Sequence, residues 1–177
     1  MAVRRKHIRT TASQLLRSNG IESAPVEVEK IAEYLGIRVQ YETTDDELSG
    51  FLLRDLSRNK AIIGINDKHP ETRKRFTVAH ELGHFMLHEH ENLHIDKRFM
   101  IQLRDEKSSK GEFEDEKEAN LFAAELLMPI DFIQTDLAEV NEFDLEDDDF
   151  IKDLAAKYDV SPQAMTFRLS YLGYIQL

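Results

Sequence analysis

The sequence has 177 residues, enough for one buried core, and its 41% hydrophobic and 32% charged content belongs to a soluble globular chain, not a disordered one. Its net charge of −11 disfavours direct nucleic-acid binding, and the one basic cluster, Arg4, Arg5, Lys6 and Arg9, reads as a solvated terminus. The absence of cysteine excludes disulfides and thiolate metal cages, and no apolar run suits a secretion leader or a membrane span, so a cytoplasmic protein is expected.

In chain order, Lys6 to Ser18 carries apolar residues at helical spacing and stops at Asn19-Gly20. Pro25 suits the first turn of a second helix, whose apolar face is Val28, Ile31, Ala32 and Leu35 and whose end is Gly36. Three β-rich runs follow, Ile37 to Tyr41, Gly50 to Arg54 and Ala61 to Ile65, the last two joined by a polar stretch of hairpin length. They predict a small three-stranded antiparallel sheet, with an edge strand able to hold an extended peptide. Glu71 to Arg75 leads into a helix reaching about His88, with Ala79, Leu82, Gly83 and Met86 on its buried side, which should pack on that sheet.

Asp96 to Glu114 is mostly charged and reads as a loop or broken helix, before a periodic helix from about Glu114 to Met128 that Pro129 ends. The acidic run Glu146 to Asp149 reads as a solvated loop or helix start. Leu154 to Leu172 reads as a helix, a tight turn at Asp159 to Ser161, and a helix opened by Pro162. The expected fold is α+β and mostly helical, one domain over 1–177 with 130–177 a C-terminal, helix-turn-helix-like helical subdomain.

His80 and His84 lie four apart, so on a helix they share one face and can reach one ion. Glu81, one position round, can accept the proton of an attacking water as general base, and this H-E-x-x-H pattern is a hydrolase layout. On the next helix Ala119, Phe122, Ala123 and Leu126 form the core stripe and Glu116 lies in line with it, an inward carboxylate that a divalent ion would compensate. Asn120, one turn on, is placed to hold a ligand histidine through a hydrogen bond.

Glu112, Glu114 and Glu118 read as solvated surface, with Glu118 the main rival ligand. His90 stands where an extended motif places a third histidine, but Leu87 occupies the position where glycine makes the turn. His88 continues the i, i+4 series after drifting round the helix and reads as a neighbour of the ligands or as surface, and His94, His69 and His7 have no special spacing. Zinc fits two histidines and a carboxylate, the same set can hold iron or manganese, and Glu81 beside the first ligand favours hydrolysis. Which Tyr, His or Arg would stabilise the oxyanion is left open.

These residues resemble the ImmA/IrrE metallopeptidases over Pro25 to Val39, Ser49 to Asn66, Arg75 to His88 (RFTVAHELGHFMLH), Glu116 to Pro129 (EKEANLFAAELLMP) and Val160 to Gly173. The resemblance implies a zincin-like fold with His80, His84 and Glu116 as zinc ligands and Glu81 as base. It also implies a cytoplasmic bacterial or phage-related protein that cuts a helix-turn-helix repressor and so induces mobile-element or stress-response genes. Two other readings compete. One is a zinc-binding module that docks a repressor without cutting it. The other is a DNA-binding regulator, whose second C-terminal helix offers only Arg168 as a cation and presents Met165, Phe167 and Leu169 as packing residues.

Overall fold

Helix α1 (Arg5–Ser18) buries one stripe, Ile8, Ala12, Leu15 and Leu16, at helical spacing. It stops where Gly20 takes φ +64°, a backbone region open to glycine, and the Ile21 amide donates back to the Leu16 carbonyl. The computed structural model describes residues 3–45, 48–55, 60–88, 93–97, 109–138 and 148–176, with 93–97 and 109–112 described by backbone alone.

Helix α2 (Val28–Tyr34) begins three residues later than Pro25 suggests. Val26 is fully buried and its carbonyl accepts from Arg75 Nη2 at 2.9 Å, so this stretch is held against the core before the helix starts. The chain then enters β1 (Ile37–Glu42), β2 (Leu48–Asp55) and β3 (Lys60–Asn66).

The sheet is mixed and has four strands, in the order β1-β3-β2-β4, where three antiparallel strands were expected. β2 and β3 form the foreseen antiparallel hairpin. The chain reverses once between β1 and β2 and again between β2 and β3, so β3 runs in the direction of β1 and pairs with it in parallel, Ile37 opposite Ala61. Buried Asn66 braces the β1–β2 connection: its side-chain amide donates to the carbonyls of Asp45 and Leu48, and its Oδ1 accepts from the Thr44 and Lys68 amides. The fourth strand, β4 (Leu93–Lys97), pairs antiparallel with β2 and forms the second edge opposite β1. Its alternation is only five residues long, too short to stand out beside the charged run that follows.

Helix α3 (Glu71–Leu87) packs on β2 and β3 and on α4 (Ser109–Leu127). The expected buried side holds for Ala79, Leu82 and Gly83, while Met86 is half-buried. A side chain at Gly83 would meet Ala119 Cα at 3.0 Å and the Ala119 carbonyl at 3.1 Å, so glycine here sets how closely α3 and α4 approach. α4 starts at Ser109, earlier than the charge pattern suggested, and Pro129 separates it from α5 (Ile130–Ala138).

At the C-terminal end α6 (Asp148–Tyr158) and α7 (Pro162–Tyr171) join through Asp159, at φ +53°, and Ser161, whose hydroxyl accepts from the Ala164 amide. Ile133, Leu137, Leu154, Tyr158, Met165 and Leu169 belong to the same core cluster as α1 and α3. Phe167, expected to pack, is 57% exposed, because α7 turns Met165 and Leu169 inward and Phe167 to the opposite face. Among the described residues no helix is long and apolar enough to cross a membrane.

Candidate metal centre

The close approach at Gly83 brings the first half of α4 alongside the last turns of α3. Glu116, one turn before Ala119, therefore meets the two histidines of α3. His80 Nε2 lies 3.3 Å from Glu116 Oε2, His84 Nε2 lies 3.4 Å from Glu116 Oε1, and the two Nε2 atoms are 3.1 Å apart. The histidine side chains are buried and Glu116 is 35% exposed, so the group opens to solvent on the α4 side.

The donor set fits a small divalent cation. Bonds of about 2.0–2.1 Å in tetrahedral geometry would space neighbouring ligand atoms by roughly 3.3 Å, close to all three separations. Two imidazole lone pairs held 3.1 Å apart repel unless a proton or cation lies between them, and the carboxylate supplies compensating charge. His80 Nδ1 stands 3.1 Å from Asn120 Oδ1; with Nδ1 carrying the proton and donating, Nε2 keeps its lone pair on the Glu116 side. Two nitrogens and one carboxylate leave further coordination positions open to water or substrate.

Glu81 follows His80 on α3 and is fully buried. His88, one turn beyond His84, is buried beside different carboxylates: Nδ1 is 3.4 Å from Asp115 Oδ1 and Nε2 is 3.9 Å from Glu118 Oε2. Its ring centroid is 5.5 Å from that of His84, so it adjoins the site without joining its donor group. His7 is exposed and His69 half-buried, while His90, and the side chains of His94 and Glu112, lie outside the described residues.

Two readings of charge are corrected. Glu118 is not solvated surface: it is 4% exposed, and its carboxylate accepts from Arg4 Nε, Nη2 and backbone amide. The basic cluster is correspondingly not merely a solvated terminus. Arg4 also donates to the Leu87 carbonyl at the C-terminus of α3, and Arg9 pairs with Glu125. Burial alone would raise the Glu118 carboxyl, but the Arg4 contacts outweigh it and hold it below the usual range. Glu125 behaves alike, its burial outweighed by Arg168 and Arg9.

Arg54 also supports the site. On β2, 9% exposed, it donates from Nη2 to the His84 carbonyl at 2.6 Å and lies 5.0 Å over the Phe85 ring, so it anchors the turn that carries His84. A lone arginine within the apolar strand LSGFLLRD was the available signal. Asp115 and Gly83 likewise show their roles only once α3 and α4 are paired.

The sequence profile of a peptidase family described as the IrrE N-terminal-like domain matches residues 32–170. The chain is 34% identical over 118 residues to the uncharacterized immunity region protein 2 of Bacillus phage phi105, covering 67% of each chain. It is 27% identical over 127 residues to the metallopeptidase ImmA of Bacillus subtilis (strain 168), covering 72% of this chain and 66% of that one. A solved Mycobacterium tuberculosis transcriptional regulator has a similar fold, with a TM-score of 0.63 at 16% identity, over 93% of this chain and 46% of that one. The chain thus spans about two thirds of the length of these curated relatives and under half of the solved regulator.

Proposed function

The chain belongs to the IrrE N-terminal-like peptidase family, and from that premise we propose that it is a zinc-dependent endopeptidase that cuts a helix-turn-helix transcriptional repressor. The observation that carries this reading is the convergence of His80, His84 and Glu116 donor atoms beside a buried Glu81. Such cleavage would induce mobile-element or stress-response genes, in keeping with the phage immunity-region relative, and would take place in the cytoplasm.

His80, His84 and Glu116 would hold the ion, which when bound would supply Lewis acidity and draw the pKa of water towards neutrality. Asn120 fixes the His80 ring, and Arg54 holds the backbone at His84. Glu81 takes the proton of the attacking water as it adds to the peptide carbonyl, then returns a proton to the leaving amine, so it acts first as base and then as acid. His88 acts beside this machinery with Asp115, outside the ligand set.

The DNA-binding reading loses its support in α7. Arg168 is 2% exposed and donates to the Met128 carbonyl and to Glu125, so its charge is used inside the protein. We accordingly take 130–177 as a helical part of the same unit, tied to α4 by that ion pair.

The test compares zinc-loaded wild type with Glu81→Gln on candidate repressors from the same genome, read as discrete fragments by mass spectrometry. The variant is expected to keep its metal and lose roughly 10²–10⁴-fold in cleavage rate. Equal cleavage by both forms, or tight repressor binding without cleavage by either, would replace the peptidase with a docking module.

A further inference from the structure

A groove of about 840 Å³ runs beside the metal centre, between α3, α4, the start of α1 and α7. It shares a wall with that centre, because Asn120 both lines the groove and bonds to His80, and Phe76, one turn before His80, lines it too. Its size is that of a site that buries several side chains of a ligand. Leu121 contributes apolar surface from α4, buried Met128 just past the end of that helix lies behind it, and Phe167 and Tyr171 add rings from α7 that are 57% and 42% exposed. Large apolar side chains left on a surface beside a candidate active site mark a contact face.

Its charge is opposite to that of the chain. Arg5, Arg73 and Lys117 line the groove, and among the described lining residues there is no Asp or Glu, in a protein with 34 acidic residues and a net charge of −11. Arg168 lines it as well, but its guanidinium is already paired with Glu125. Arg5 lies 5.7 Å over the Tyr171 ring, so cation and apolar surface are presented together.

We infer that this groove docks an acidic amphipathic segment of the protein substrate, its apolar side chains on Phe167, Tyr171 and Leu121 and its carboxylates towards Arg5 and Lys117. The inference rests on the peptidase reading only in taking the occupant from the substrate. Apolar walls favour a polypeptide over a nucleic acid, whose contacts are dominated by phosphate. A second copy of the chain is disfavoured because a two-fold interface sets a patch against itself, and this patch would oppose cations with cations.

Docking is measured by fluorescence anisotropy on the zinc-loaded full chain carrying Glu81→Gln, with a short synthetic helix bearing leucines at i, i+3, i+4 and i+7 and glutamates on the flanks. The same peptide with lysines for glutamates is the control. The acidic peptide is expected to bind at least about ten-fold tighter, with affinity falling as salt rises. Phe167→Ala and Arg5→Glu, both at exposed side chains, should each weaken it about ten-fold without moving the melting temperature, and Arg5→Glu should also flatten the salt dependence. Equal binding of both peptides, binding unaffected by either substitution, displacement by a DNA duplex, or a wild-type dimer that Phe167→Ala dissociates would each overturn it. Binding does not depend on turnover: charge-selective docking without cleavage of any repressor would retire the peptidase and keep the groove, and cleavage without such docking would do the reverse.

Discussion

Helix α4 presents carboxylates to two environments, and the contrast separates the proposed metal site from structural ion pairs. Glu118 and Glu125 meet guanidinium groups, which stay charged at any relevant pH: Arg4 for the first, Arg9 and Arg168 for the second. Their charge is balanced from within the chain. Glu116 meets two imidazoles, whose neutral form offers a nitrogen lone pair to a dication. An inward carboxylate is therefore no sign of a metal until its partners are known. His88, Asp115 and Glu118 also come together, but there Arg4 already satisfies Glu118, whereas Glu116 sets one carboxylate oxygen against each of His80 and His84.

The contrast breaks most sharply at the metal. Glu116→Gln should lower zinc affinity by more than about a hundred-fold, measured by chelator competition, while leaving the arginine pairs intact. Glu125→Gln should do the opposite. It strands Arg168 in the interior and should cost about 3 kcal/mol, seen as a melting temperature roughly 6–12 °C lower, with one zinc still bound below the transition. The pH dependence follows from the same pairs. Because Glu118 and Glu125 titrate below their unfolded values, their stabilisation is complete above the ordinary carboxylate range, near about pH 4, and is lost as pH falls through the folded values. Wild type should therefore melt progressively earlier below that point, and Glu125→Gln should show a shallower fall. The smallest effect is expected at Asn120→Ala, which should weaken zinc binding on the order of ten-fold by freeing the His80 ring, with little change in melting temperature because Asn120 is exposed.

Much of the local structure was legible from the residues alone. Asn19-Gly20 and Gly36 marked helix ends, Ser161-Pro162 marked a helix start, and His80, Glu81 and His84 lay together because i, i+4 geometry is settled within one turn. Glu116 was legible too, since its spacing from Ala119 and Ala123 set it on the inner side of α4. Phe167 was misread because a short helix of alternating apolar residues does not reveal which face meets the core.

Only the tertiary structure decided the rest: the parallel pairing of β1 with β3, the addition of β4, the closeness of α3 and α4 at Gly83, and the partners of Glu118 and Glu125. Arg4 and Glu118 are 114 residues apart and Arg9 and Glu125 are 116 apart. Backbone preference and hydrophobic period act over one or two turns and so are written locally in the sequence. Which strand lies beside which, and which cation reaches a buried carboxylate, follow from how the whole chain closes its loops and fills one core, and no local window carries that information.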